Sequence, residues 1–186
     1  YDLDNDGYLE NTGWAGASDG ILALDLAADG TAGPDGVISR ADEIVFTFHA
    51  DGTTSDLEAL AVAFDSNQDG KLTSEDARWS EFRVWRDLDQ DGVSDAGEIY
   101  TLDELGITEI NLAGTPVQDP EAGPDSTRIG AIATYLDEAG SGFVGDATFV
   151  YSEFGYRIRN SNILELQADS GDYRYLVDGI DHDVTI

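Results

Sequence analysis

Apolar positions along this 186-residue chain change texture about two-thirds of the way through. Before that point they come in short clusters between acidic, glycine-containing stretches. Leu57, Leu60, Ala61 and Phe64 recur at helical spacing. Ser55-Asp56-Leu57-Glu58 precedes them as a capping box, in which the Ser55 hydroxyl and the Glu58 carboxylate satisfy free amides at a helix start. The spacing therefore predicts a helix that runs into Asp65. A second helix is predicted from about Ser74, with Trp79 and Phe82 on its buried face and Val84-Trp85 leading to Asp87. Thr101-Leu102-Asp103-Glu104 is another capping box, and the short helix it opens is predicted to stop at Gly106, a residue suited to the position after a helix end. Ile21 to Leu24 is a short apolar run. Ile44 to Phe48 and Thr108 to Leu112 alternate as strands do.

From Arg128 onward the runs RIGAIATYL, FVGDATFVY, YRIRN, ILELQ and YRYLV are short and rich in β-branched and aromatic residues. Asp137–Gly142 and Asp169–Asp172 separate them as turns, so this part is predicted to be β-rich. Residues 113–126 hold three of the four prolines and read as a linker or long loop.

The acidic stretches carry the chemistry. An EF-hand calcium loop has twelve residues, with oxygens from positions 1, 3, 5, 7, 9 and 12 and glycine at 6 for the sharp turn. Asp65, Asn67, Asp69, Gly70, Lys71, Thr73 and Asp76 fill those places, with Lys71 ligating through its carbonyl. Asp87, Asp89, Asp91, Gly92, Val93, Asp95 and Glu98 fill them again ten residues later, Val93 likewise through its carbonyl. Calcium takes six to eight oxygens, so carboxylates must alternate inward around a tight turn. Ser94 holds position 8 of the second loop, where paired EF-hands usually carry an aliphatic residue, so irregular pairing of the loops is expected.

Two further stretches are interrupted versions. Asp2, Asp4, Asp6, Gly7 and Tyr8 start a loop at the beginning of the chain, but Gly13 stands where a closing carboxylate belongs. Glu10 or Asp19 is the candidate to close it, and Trp14 is expected to anchor it from below. Asp25 opens another loop, broken by an insertion around Gly33-Pro34. Asp29-Gly30 and Asp35-Gly36 compete for its positions 5 and 6, with Asp42 or Glu43 closing. The expected cofactor is therefore Ca2+, at two sites, or three or four once the interrupted loops count. Asp178 to Asp183 is one more acidic run, read mainly as solvated surface. The resulting fold expectation is α+β: an EF-hand-like helical half followed by a β-rich half, with domains at 1–112 and 127–186 joined by 113–126.

Charge supports the metal reading. The chain has 39 acidic and 9 basic residues, a net charge of −30, yet 41% hydrophobic content. That balance excludes nucleic acid and anionic membrane surfaces as partners, since both need basic patches. It favours bound cations, because compaction of such a chain without counter-ions costs self-repulsion energy. There is no cysteine, so disulfides cannot supply stability. No apolar run is long enough to span a bilayer. The chain starts at Tyr1 and contains no Met, which leads one to expect a piece of a longer polypeptide. Arg157, Arg159 and Arg174, with Tyr151, Tyr156, Tyr173 and Tyr175, read as cross-strand pairs with local carboxylates rather than as a face for an acidic or sugar partner. His49 beside Asp51 reads as a surface or packed residue rather than a ligand, and is left unassigned.

Several runs together resemble a known family: DLDNDG…TGW, then DGILALD, then AFDSNQDGKLTSEDARWSEFRVWRDLDQDGVSDAGEIYTLDELGITEINL, and later Thr134-Tyr135 and Gly145-Asp146-Ala147-Thr148-Phe149. They are similar to the calcium-dependent self-processing modules of iron-regulated RTX proteins and to related segments of secreted RTX toxins and adhesins. The likeness covers roughly residues 1–150. It implies type I secretion, a secreted or cell-surface location, neighbouring domains of a larger protein as partners, and folding induced by calcium. In processing members it further implies cleavage of an Asp-Pro bond just upstream of the module, through a cyclic anhydride that is hydrolysed or captured by a Lys amine. Here the single Asp-Pro pair is Asp119-Pro120, in the proline-rich segment, and the single lysine is Lys71, inside a metal loop. The function expected is therefore a calcium-binding structural or adhesive module, with autoprocessing second. A calcium sensor fits less well, since sensors expose a Met-rich groove. Dockerin-like binders are much shorter.

Overall fold

The computed structural model describes residues 1–3, 8–117, 127–160, 163–166, 173–177 and 180–184, with side chains as far as Tyr151. In chain order the strands and helices are β1 (Leu9–Thr12), β2 (Ile21–Leu24), α1 (Ala41–Ile44), α2 (Asp56–Ala63), β3 (Lys71–Thr73), β4 (Phe82–Trp85), β5 (Ile99–Thr101), β6 (Glu109–Asn111), β7 (Thr115–Pro116), β8 (Arg128–Asp137), β9 (Gly140–Thr148), β10 (Tyr151–Asn160), β11 (Ile163–Leu166), β12 (Tyr173–Val177) and β13 (Ile180–Val184). Two compact units result, one formed by residues 1–13 with 150–186 and the other by residues 14–149.

The first unit is an antiparallel sheet in the order β1-β10-β11-β12-β13. Its strands after β1 follow one another as a meander, as the alternating runs of the C-terminal segment require.

The second unit holds two sheets. One is β2-β4-β5, with β4 in the middle: Ala23 pairs with Arg83, and Arg83 with Thr101. In the other, β8 and β9 form a long hairpin, and β8 also pairs with β6 and β7, while β3 pairs with β6. Between the sheets lies a core that includes Leu24, Phe46, Leu60, Phe64, Leu72 and Phe82. Phe46, Phe64 and Phe82 pack as a triad, with centroids 5.3 to 6.2 Å apart. Aromatic groups of this size dominate core energetics.

The expected helical half is overturned. The described residues are mostly antiparallel sheet, with only two short α-helices. Helix α2 forms as the capping box predicts: Ser55 Oγ accepts from Glu58 N at 3.2 Å, and Glu58 Oε2 accepts from Thr54 N at 3.0 Å. No helix leaves the Asp65 loop, however. A 3-10 turn at Trp79–Glu81 leads straight into β4. Phe82-Arg83-Val84-Trp85 satisfies backbone groups on both its edges as a middle strand, which outweighs any local helical tendency. The loop at Asp87 is consequently a strand-to-strand connection between β4 and β5. The strand expected at Ile44–Phe48 is also absent: α1 ends at Ile44 and a 3-10 turn covers Phe46–His49. Asp56 Oδ1 accepts from Thr47 N at 3.0 Å, and Phe46 is drawn into the aromatic triad. The second capping box forms around a 3-10 turn at Asp103–Leu105, and Gly106 ends it with φ 67°.

Candidate metal centres

In the two uninterrupted loops the same backbone amides are gathered by the same carboxylates. Asp65 accepts from Asp69 N at 3.1 Å and from Gly70 N at 2.9 Å. Asp87 accepts from Asp91 N at 3.2 Å and Gly92 N at 2.9 Å. At position 5, Asp69 Oδ1 accepts from Lys71 N and Asp91 Oδ1 from Val93 N. The closing carboxylates bind across the loop: Asp76 accepts from Ser66 N and Thr73 N, Glu98 from Leu88 N and Asp95 N. Gln68 and Gln90 at position 4 have φ of 60° and 61°, and Gly70 and Gly92 have φ of 81° and 75°. That left-handed backbone makes the sharp turn, and glycine adopts it at no steric cost.

Burial follows position. Asp65, Asp76, Asp87 and Glu98 are buried, whereas Asn67, Asp69, Asp89, Asp91 and Asp95 are exposed. Each loop is thus a cup with a fixed floor and an open rim. Oxygens of Asp87, Asp89 and Asp91 all lie within 4.8 Å of one another. Ligands facing each other across a calcium ion stand roughly 4.6–5.2 Å apart, so this triad fits around one ion. Partial desolvation, then the charges of Asp91, Glu98 and Asp87, push the Asp89 carboxyl above its ordinary value. A divalent cation relieves that crowding.

The loops do not pair with each other. Leu72, at position 8 of the first, pairs with Ile110 of β6. Lys71, a carbonyl ligand candidate, sends its side chain to Glu109 Oε2 at 2.7 Å. Ser94, at position 8 of the second, accepts from Ile38 N at 2.9 Å. The expected irregular pairing is therefore a change of partner, to the interrupted loop.

That loop keeps the wiring despite its insertion. Asp25 Oδ1 accepts from Asp35 N at 2.8 Å and Gly36 N at 3.0 Å, which makes Asp35-Gly36, and not Asp29-Gly30, positions 5 and 6. Asp35 Oδ1 accepts from Val37 N. Glu43 closes: Oε1 accepts from Leu26 N, and Oε2 from Ser39 N and Arg40 N. Burial, opposed by these amides and reinforced by the charge of Asp25, raises the Glu43 carboxyl. Asp29 instead caps its own turn through Thr31, and Asp42 pairs with Arg40.

At the start of the chain, Glu10 Oε2 accepts from Leu3 N at 2.7 Å and is buried, the bond that closing carboxylates make elsewhere. Asp2 is half-buried and Tyr8 buried. Asp4 and Asp6 lie outside the described residues. Asp19 is exposed, in a turn with Gly16, and belongs to the second unit.

Trp14 corrects an expectation. Its indole Nε1 donates to Asp87 Oδ2 at 2.6 Å, so it supports the second loop. Trp85 Nε1 reaches Glu98 Oε2 at 3.4 Å. No local signal couples Trp14 to Asp87. His49 is packed, with Nε2 2.7 Å from Asp42 O and its ring against Phe64. Asp119-Pro120 and Asp178 are outside the described residues, and the arginine and tyrosine side chains beyond Tyr151 are not described.

The SPM domain model matches residues 1–150. The iron-regulated protein FrpA of Neisseria meningitidis serogroup C is 40% identical over 116 residues, which is 61% of this chain and 10% of that protein. The chain thus spans about a tenth of the length of this relative. Among the described residues, no helix is long and apolar enough to cross a membrane.

Proposed function

The chain belongs to the SPM domain family, and from that premise we propose that it is a calcium-binding structural or adhesive module of a large, secreted RTX-type bacterial protein. Calcium ions in the loops at 65–76 and 87–98 complete its folding. One observation carries this reading: both loops fix five amides on three carboxylates in the same way, and at Asp87, Asp89 and Asp91 the carboxylate oxygens are spaced for one ion. Asp65, Asn67, Asp69, Thr73 and Asp76 would hold the first ion with the Lys71 carbonyl. Asp87, Asp89, Asp91, Asp95 and Glu98 would hold the second with that of Val93. A calcium ion supplies positive charge to a chain of net −30 and draws the rim residues onto the cup. The secreted location and the larger parent protein rest on the similarity to an iron-regulated protein many times longer.

Calorimetric titration with calcium tests the proposal. Binding that disappears from the Asp65→Asn, Asp87→Asn double variant is the expected result. Wild-type protein that takes up no calcium at millimolar concentrations would end it.

Calcium-dependent cleavage of an Asp-Pro bond upstream of the module is the second reading, and it rests on the resemblance of the sequence to self-processing modules. Its test is a denaturing gel with and without calcium. A structural module stays one band even when an Asp-Pro bond is supplied upstream of Tyr1, whereas calcium-triggered release of that upstream segment supports processing.

A further inference from the structure

The interrupted loop differs from the other two in where its positive charge comes from. Asp65 and Asp87 each spend both oxygens on the amides of positions 5 and 6. Asp25 gathers both amides on Oδ1 alone. Its Oδ2 is completely buried and accepts no hydrogen bond, but Arg83 Nε stands 3.0 Å away, an ion pair off the hydrogen-bond line. Arg83 is held there firmly. It sits on β4 between Ala23 and Thr101, and its Nη1 donates to Ser80 O and Phe82 O.

The ligand set is thinned at the same place. Position 3, Asn67 or Asp89 in the other loops, is Ala27 here. The amide at position 9, where the other loops have Thr73 or Asp95, belongs to Ser39, and Arg40 beside it brings a guanidinium that pairs with Asp42 at 2.9 Å. The inserted residues make their own turn, with Ala27 N on Thr31 O and Leu26 bridged to Ala32. A hard cation that needs six or more oxygens finds fewer here, next to fixed positive charge. A buried carboxylate nonetheless needs a cationic partner.

We propose that the guanidinium of Arg83 serves as the resident cation of the loop Asp25–Glu43. This loop is therefore closed without calcium, and through the Ile38–Ser94 bond it holds the loop at 87–98 ready for its ion. The inference rests on the reading of 87–98 as a calcium site. Ile38 N meets Ser94 Oγ at 2.9 Å, position 8 against position 8, where two EF-hand loops pass on each other's order. A permanently ordered partner removes part of the ordering cost that calcium would otherwise meet at Asp87–Glu98.

Calorimetric titration of the full chain with calcium chloride, with ions counted by native mass spectrometry, tests this. Asp25→Asn is expected to leave the ion count of the wild type unchanged, while Asp87→Asn lowers it by one. Arg83→Gln is expected to keep the count but weaken binding at 87–98 by about tenfold, a usual size for coupled sites. Arg83→Lys, which keeps the charge, recovers most of that loss and carries the test should Arg83→Gln fail to fold. Loss of one ion in Asp25→Asn overturns the inference, as does unchanged affinity at 87–98 in Arg83→Gln, and in both cases calcium binding at 87–98 stands. A wild type that binds no calcium is a different failure, that of the underlying reading.

Discussion

Trp14 Nε1 donates to Asp87 Oδ2 at 2.6 Å, across 73 residues of chain. Trp14 also meets Trp85 edge to face, with ring centroids 5.3 Å apart, and Trp85 in turn reaches Glu98. The first and last carboxylates of the 87–98 loop are therefore each held by an indole. Two of the three tryptophans report on this loop; Trp79 instead faces Asp103. Calcium is expected to change the intrinsic emission with a single-site midpoint. Trp14→Phe keeps the ring packing but removes the donor. It should reduce the emission change and weaken binding by roughly 10- to 100-fold, as loss of an outer-shell partner does. An emission spectrum insensitive to calcium in the wild type would contradict this arrangement.

Calcium should raise the melting temperature strongly. At a thousand-fold excess over the dissociation constant, each site adds about 4 kcal/mol to stability. For a chain of this size that corresponds to a shift of about 8–16 °C per site. Differential scanning calorimetry with calcium and with excess chelator measures it. Near-UV circular dichroism should lose signal in chelator, because the buried carboxylates at the loop floors are then left without a cation.

Glu98→Gln leaves one amide-accepting oxygen and replaces the other with a donor facing Asp95 N or Leu88 N, both of which need an acceptor. The expected outcome is loss of at least about tenfold in calcium affinity at 87–98, with binding at 65–76 retained. Stepwise calorimetric titration separates the two loops. Equal loss at both would show that they act as one unit.

Asp56 provides a pH prediction outside the metal loops. Burial pushes its carboxyl up to about 6; the charge of Asp146 adds to this, and the amides of Thr47 and Phe46 and the charge of His49 oppose it. The fold therefore binds this proton more tightly than the unfolded chain does. Ionised Asp56 costs nothing below about pH 4, and its cost grows as pH rises to about 6 and stays above it. Asp56→Asn keeps an oxygen for Thr47 N. It should raise the melting temperature by roughly 2–6 °C at pH 8, after allowance for solvent screening, and leave it unchanged near pH 4. Melting curves in saturating calcium check this. A gain of equal size at both pH values would argue against a buried, titrating Asp56.

What could be read from the chain alone was chemistry that closes within a dozen residues. The cups at Asp65 and Asp87 and the caps at Ser55 and Thr101 depend on side chains meeting amides a few positions away, and the stop at Gly106 on a left-handed backbone that glycine adopts freely. Spacing alone dictates such bonds. The strands after Arg128 were legible for the same reason, since alternation and turns are local signals, but their division between two sheets was not. Within the interrupted loop, Asp25, Asp35 and Glu43 stood out as candidates, but the choice of Asp35 over Asp29 needed the backbone path around the insertion.

Everything that depended on partners far along the chain was decided by packing. Phe82–Trp85 is a strand because β2 and β5 flank it, although its aromatics suit a helix face equally well. Leu72 chose Ile110, and Ile38 chose Ser94, so two loops adjacent in sequence ended with different neighbours. Trp14 found Asp87 and Arg83 found Asp25 for the same reason. A buried carboxylate must meet a donor or a cation, but only the closed three-dimensional core determines which one comes within reach.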